Sequence, residues 1–215
     1  MRNNEIVLYG IGGLGADHRV FNFLTLNCRL VSIKWIEHNE EESLSAYALR
    51  LASQIDEKER FGLLGVSFGG LVAIELNKIV NPIFTILISS ASKSTDLPRI
   101  KSLVKKVNIL PLLPNSFLKP PFFIMKYLFG AGNSKLLKEI INDTDPEFLR
   151  WAIGEIINWN YTDDTNNLHL IHGSKDRLIP IKNKSSLVID NGAHFMIVDN
   201  ASQISKIVNT ISSQY

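Results

Sequence analysis

Phe61-Gly62-Leu63-Leu64-Gly65-Val66-Ser67-Phe68-Gly69-Gly70-Leu71-Val72 changes its hydrophobic character in the middle. Phe61 to Val66 is a short, continuous apolar run, the pattern of a strand buried on both faces. Phe68 to Val80 reads as a helix, so strand passes to helix through a single tight turn. The segments around this unit repeat the same rhythm. Upstream, Ile6-Val7-Leu8-Tyr9 is β-branched and aromatic and ends in glycines, and Arg29 to Ile36 alternates with the period of a strand. Val20, Phe21, Leu24 and Leu26 recur at helical spacing, and Leu44, Tyr47, Ala48, Leu51, Ala52 and Ile55 share one helical face within Ser43–Ile55. Downstream, Ile83 to Ser89 is another buried strand. Strands that alternate with helices pair in parallel through right-handed crossovers, which predicts an α/β sheet covered on both faces.

The rhythm stops near Lys93 and resumes near Asn166. Between them lie prolines 98, 111, 114, 120, 121 and 146, with apolar clusters at helical spacing over Leu97–Val107, Phe117–Phe129, Leu136–Ile141 and Pro146–Trp159. Leu168–His172 and Ser185–Asp190 then read as strands, and Ala201–Ile211 as a closing amphipathic helix. The expected architecture is a mostly parallel, doubly wound sheet of about six strands. Its core is formed by residues 1–92 and 166–215, with a helical cap inserted at 93–165.

At 215 residues, 45% hydrophobic and 20% charged, the chain suits one globular domain with a sizeable core. A formal net charge of +2 leaves no electrostatic footprint for nucleic acid, which points to a small-molecule partner. The single cysteine, Cys28, forms no intramolecular disulfide and reads as a small buried hydrophobe. Glu5 and four glycines argue against a signal peptide over Ile6–Ala16, and the uncharged run around Ile83–Ala91 is too short for stable membrane insertion. A cytoplasmic location is expected.

Two glycine motifs compete for the chemistry. Gly10-Ile11-Gly12-Gly13-Leu14-Gly15 follows a strand and matches G-x-G-x-x-G, with Glu37 after the next strand where a dinucleotide fold places its ribose-binding acid. Gly65-Val66-Ser67-Phe68-Gly69 matches G-x-S-x-G between strand and helix, the turn that lifts a serine hydroxyl above a sheet at a helix N-terminus. A serine nucleophile needs an imidazole base and an acid to hold its tautomer. Asp176 lies in Gly173-Ser174-Lys175-Asp176-Arg177-Leu178-Ile179-Pro180, just past one strand, and His194 lies in Gly192-Ala193-His194, past the next. Ser67, Asp176 and His194 thus all fall at C-terminal strand ends, the edge where open α/β sheets build sites. The glycines at 10–15 then gain a second use, as a loop whose backbone N–H completes an oxyanion hole.

At this point the chain resembles the α/β-hydrolase fold family, end to end. Tyr9-Gly10-Ile11-Gly12-Gly13 is similar to its H-G-x-G-G loop, Gly65–Gly70 to its nucleophile elbow, Gly173–Pro180 to its acid turn and Gly192–His194 to its histidine loop. The resemblance implies Ser67 as nucleophile, His194 as base and Asp176 as orienting acid, with the N–H groups of Phe68 and Ile11 as oxyanion donors. It implies hydrolysis of an ester or thioester with an apolar acyl part, without cofactor or metal. Two departures stand out: the family's first two strands are missing, and Tyr9 replaces the usual histidine.

Other residues carry plainer readings. Asp96 and Asp190 are the alternative acids. His18 and His38 read as surface or loop residues, and His169 and His172, on one strand, match no metal spacing. Pro120-Pro121-Phe122-Phe123-Ile124-Met125 with Tyr127, Leu128 and Phe129 is apolar on several sides. It packs on the sheet and cap, lines an apolar pocket over Ser67, or docks on a membrane surface, the last disfavoured because the region's lysines form no polar face. A ligand-binding protein without turnover, and a dinucleotide-binding protein using Gly10–Gly15, remain the alternatives to a hydrolase.

Overall fold

The computed structural model describes residues 5–98, 114, 118–183 and 185–215. Six strands form one sheet: β1 (Val7–Ile11), β2 (Arg29–Ser32), β3 (Phe61–Val66), β4 (Thr85–Ile88), β5 (Leu168–Gly173) and β6 (Leu187–Ile189). Their order is β2-β1-β3-β4-β5-β6 and every pair is parallel, as the alternation of strand and helix predicts. The order reverses direction after β2, so the C-terminal ends of β1 and β3 sit side by side at the point where chain crossings diverge. Such a switch point leaves a crevice at the strand ends.

The helices are α1 (Leu44–Leu51), α2 (Phe68–Asn77), α3 (Phe122–Phe129), α4 (Ser134–Asp143), α5 (Pro146–Asn158), α6 (Met196–Asp199) and α7 (Ala201–Ser212). They cover both faces. On one face α1, α2 and α5 bury Tyr47, Leu51, Leu71, Ile74 and Ala152 against Val7, Leu63 and Leu87 of the sheet. On the other, α4, α6 and α7 bury Leu137, Ile140, Ile197, Ile204 and Val208 against Leu8, Leu64, Ile86 and Ile171. The alternating side chains of each central strand feed the two cores in turn, which is why β3 and β4 read as unbroken apolar runs.

Local chemistry fixes the helix starts. Ser43 accepts the Ala46 N–H at 3.2 Å, Asn133 accepts Leu136 N–H at 3.2 Å, and Asp145 accepts Phe148 N–H at 2.8 Å with Pro146 in the first turn. α3 ends at Gly130 in a left-handed conformation, φ 61°.

Several expected elements are shorter. The stretch expected as a strand to Ile36 stops at Ser32, because the Gln54 side chain takes both backbone groups of Lys34, N–H at 2.9 Å and C=O at 2.9 Å, in place of a neighbouring strand. The Val20–Leu26 helix is a six-residue 3-10 turn, His18–Phe23, begun by the Asp17 side chain accepting Arg19 N–H at 3.0 Å. Of the helices expected between 93 and 165, α3, α4 and α5 are present, no strand interrupts them among the described residues, and most of Leu97–Val107 lies outside those residues. Cys28, expected buried, is half-buried at the margin of the α7 side. No helix among the described residues is long and apolar enough to cross a membrane.

Candidate active site

The turn between β3 and α2 holds Ser67 at φ 52°, ψ −121°, a conformation that a side-chain-bearing residue adopts only under external constraint. The constraint is close backbone crossing. A Cβ on Gly65 would stand 2.5 Å from the Gly70 Cα, and one on Gly69 would fall on the carbonyl oxygens of Ile11 and Gly12. The serine's own carbonyl is tied down by Gly70 N–H at 2.9 Å and the Ser90 hydroxyl at 2.7 Å. The hydroxyl is left as the group that projects.

His194 meets it. Nε2 lies 2.9 Å from Ser67 Oγ, and Nδ1 lies 2.8 and 3.1 Å from Asp176 Oδ2 and Oδ1. A carboxylate only accepts, so the proton belongs on Nδ1 and the Nε2 lone pair faces the serine hydroxyl. Asp176 Oδ1 also accepts the N–H groups of Leu178 and Ile179, each at 2.9 Å, in the turn after β5. Both His194 and Asp176 are buried. Burial alone would raise the Asp176 pKa; the His194 hydrogen bond and charge and the two backbone N–H groups outweigh it and hold the carboxyl below its ordinary value. The acid is therefore a fixed carboxylate across the neutral range. The histidine loop is fastened in turn: Phe195 N–H donates to the Phe129 carbonyl at 3.1 Å, and the Phe129 ring meets the imidazole edge to face at 5.2 Å.

The three sequence-predicted residues Ser67, Asp176 and His194 thus come together in one hydrogen-bonded row, although 127 positions separate the serine from the histidine. Phe68 opens α2 beside the serine, with its ring packed 5.7 Å from Trp35. Ile11 stands differently from the expectation. It is the last residue of β1, opposite Gly65, and fully buried. Val7 N–H donates to the Arg60 carbonyl at 2.9 Å, and strand alternation from that bond turns the Ile11 N–H toward β3, into the ladder. The loop residues beside the hydroxyl are Gly13 and Leu14. A Cβ on Gly13 would be 3.3 Å from Ser67 Cβ and 3.9 Å from its Oγ.

The alternative acids are employed elsewhere. Asp96 Oδ2 accepts Ser92 N–H at 3.0 Å, Ser92 Oγ–H at 2.6 Å and Lys93 N–H at 3.0 Å, and Asp190 is exposed. Tyr9 Oη accepts Asp56 N–H at 2.9 Å and its ring packs on Phe61, so it braces the chain before β3 rather than touching Ser67. The glycine run leads into the His18–Phe23 turn, not an α-helix, which removes the helix N-terminus on which a dinucleotide pyrophosphate would sit. Glu37 is exposed.

His18 is exposed, His38 stacks on Trp151 at 5.1 Å, and His169 Nε2 lies 3.2 Å from the Tyr215 hydroxyl. No group of three or more metal-ligating side chains gathers among the described residues. Sequence reasoning placed His172 on its strand but missed its burial. It is buried four positions before Asp176 with neither ring nitrogen hydrogen-bonded. Its signal was its place on a strand whose other inward residues, Leu168 and Leu170, are apolar.

A cavity of about 90 Å³ adjoins Ser67 and His194. Met125 and Phe129 of α3, Leu137 and Ile140 of α4, Leu149 of α5 and Val20 of the 3-10 turn stand in its wall. The apolar run at 120–129 therefore divides: Phe122 packs on the core, Met125 lines the cavity and Phe129 does both, while Phe123 and Tyr127 are exposed.

No protein-family model and no curated protein matches the chain. Solved structures do. A hydrolase from Oleispira antarctica aligns with TM-score 0.73 at 14% identity over 99% of this chain and 93% of its own. A lipase-esterase related protein from Clostridium acetobutylicum aligns with TM-score 0.68 at 16% identity over 98% of this chain and 97% of its own. YbtT, a type II thioesterase of the yersiniabactin NRPS/PKS pathway, aligns with TM-score 0.63 at 16% identity over 97% and 93%. At these identities the likeness is one of fold. That fold is the one shared by the α/β-hydrolases.

Proposed function

We propose that this chain is a serine hydrolase that cleaves an ester or thioester of a small to medium apolar acyl group through an acyl-enzyme on Ser67. The observation that carries the reading is the unbroken row Asp176–His194–Ser67 ending at an apolar cavity. Structural neighbours that are an esterase-related protein and a thioesterase support the reaction class.

His194 Nε2 takes the hydroxyl proton as Ser67 Oγ attacks the carbonyl carbon, and Asp176 stabilises the resulting imidazolium. The oxyanion receives N–H groups from Phe68, at the positive end of α2, and from the glycine loop. Ile11 is the loop donor that the resemblance implies. With its N–H turned into the β-ladder, the role passes to the N–H groups of Gly13 and Leu14, which make no hydrogen bond within the described residues. Collapse of the tetrahedral intermediate expels the alcohol or thiol, which takes the proton from His194. Water, deprotonated by the same imidazole, then releases the acid and restores Ser67. No step needs a metal or cofactor. Residues 93–165 act in this reading as a cap over the core of 1–92 and 166–215, and the lone cysteine suits a reducing cytoplasm.

Labelling with a small fluorophosphonate tests the reading. Wild-type protein should label at one serine and Ser67→Ala should not, with ester turnover in the mutant reduced by several orders of magnitude. Folded wild-type protein that neither labels nor turns over short esters and thioesters would overturn it.

A further inference from the structure

The chemistry of the cavity wall goes further than its location. Its inner part is made of Val20, Val66, Leu137, Ile140 and Ile197, each no more than 4% exposed and each part of the close-packed core under α4 and α6. Apart from Ser67 and His194, the wall has two polar side chains among the described residues, and both bond the backbone. Thr144 Oγ–H donates to the Ile140 carbonyl at 2.7 Å. Lys119 Nζ donates to the Thr144 carbonyl at 2.6 Å, at the C-terminal end of α4. Both therefore satisfy the last carbonyls of a helix, which every helix end must do somehow, while the five inner side chains carry no polar atom.

Size sets a second limit. A cavity of about 150 Å³ is enough for one benzene ring. By proportion, about 90 Å³ takes roughly three or four carbons beyond a carbonyl bonded to Ser67. Leu137 and Ile140, one turn apart on the inner face of α4, stand in this wall, and both are held by the same core that seats Phe195 and Ile197. A tightly packed wall of this kind resists an added methylene instead of yielding to it.

We infer that the acyl subsite takes a short, unsubstituted chain, butanoyl to pentanoyl, and that Leu137 and Ile140 set its length limit. The inference rests on the serine-hydrolase reading above. Longer acyl groups are excluded by packing, and a hydroxyl or charge set among the five inner apolar side chains would be buried without a side-chain partner.

The test is a series of p-nitrophenyl esters from acetyl to decanoyl with the wild-type protein, run beside fluorophosphonate labelling. kcat/KM should rise about fourfold per methylene while the cavity fills, peak at butanoyl or pentanoyl and fall at least tenfold by octanoyl. The 3-hydroxybutanoyl ester should be at least tenfold poorer than butanoyl. Ile140→Ala and Leu137→Ala should each move the peak two or three carbons longer. A wild-type profile still rising at octanoyl would overturn the inference while labelling still upheld the hydrolase reading. So would variants that stay folded, by a cooperative melt, and keep the wild-type peak. Absence of both labelling and turnover in folded wild-type protein would remove the hydrolase reading and the inference with it.

Discussion

Asp176→Asn isolates the orienting function of the acid from its shape. The amide oxygen of asparagine can keep the bonds from Leu178 and Ile179 N–H, now 2.9 Å each, so the turn after β5 is retained. Its NH2 group then occupies the place of Oδ2, 2.8 Å from His194 Nδ1. Two N–H donors cannot face each other there. The imidazole must present a bare Nδ1 and carry its proton on Nε2, toward the Ser67 hydroxyl 2.9 Å away. In that tautomer it cannot accept the serine proton, and the carboxylate that would stabilise the imidazolium is gone as well. A loss of about 10⁴ in kcat follows, or about 5 kcal/mol of transition-state stabilisation at 1.36 kcal/mol per decade.

Two readouts belong together. Turnover of a butanoyl ester gives the loss, and ¹⁵N chemical shifts of His194 in wild type and variant report which ring nitrogen is protonated. Asp96→Asn is the control, because Asp96 bonds Ser92 and Lys93 rather than His194 and should cost stability without a comparable loss of turnover per folded molecule. A folded Asp176→Asn protein with more than a tenth of wild-type turnover, or with Nε2 still unprotonated, would refute the assignment. Activity falling in Asp96→Asn instead would move the acid to the end of β4.

Two further outcomes follow from packing and burial. Gly69→Ala places a methyl group on the carbonyl oxygens of Ile11 and Gly12, backbone atoms that neither side can withdraw, and should cost about 3 kcal/mol or more in a urea melt; a change within 1 kcal/mol would show that the elbow and the glycine loop are not in contact. His172 is buried, and that desolvation lowers its pKa below the unfolded value of 6.5, only partly offset by Asp176. Below pH 6.5 the unfolded chain then binds a proton that the native state refuses, so stability is full above that pH and declines as pH falls toward the native pKa. Melting temperatures from pH 7.5 to 5 should fall less steeply for His172→Asn than for wild type, and equal slopes would count against a buried neutral imidazole.

The order of elements was legible because the decisive signals are local. β3 and α2 can be read from residues 61–80 alone: an apolar run without alternation marks a strand with both faces covered, and glycines on either side of one serine mark the crossing that follows. Parallel pairing then follows from chain direction where a helix carries the chain back, as α2 does between β3 and β4; β5 reaches β6 with no helix between them among the described residues. Strand lengths were less legible because a strand ends where its partner ends. Nothing in Lys34, Trp35 or Ile36 announces that Gln54 will take the place of a neighbouring strand. The loop donor misled for a related reason. The H-G-x-G-G-like spacing points to Ile11, but whether that N–H is free depends on the register of β1 against β3, and register is decided by which side chains enter the core on both strands.

The same distinction separates the hydrogen-bonded row from the cavity beside it. Ser67 directly follows β3, while Asp176 and His194 lie in the loops that leave β5 at Gly173 and β6 at Ile189, and parallel strands deliver their C-terminal ends to one edge whatever lies between them in sequence. Their convergence is thus a consequence of topology, which the sequence pattern carries. The cavity has no such warrant. Val20 comes from a 3-10 turn, Met125 from α3, Leu137 and Ile140 from α4, Ile197 from α6, and their meeting depends on how α4 settles against Phe21 and Phe195. In sequence these are ordinary core residues with a helical period. What turns some of them into a binding wall is a volume of about 90 Å³ left beside the serine, a difference of a few methyl groups that no spacing rule encodes. Substitutions in the wall should therefore change which acyl group is accepted long before they disturb the hydrogen-bonded row that acts on it.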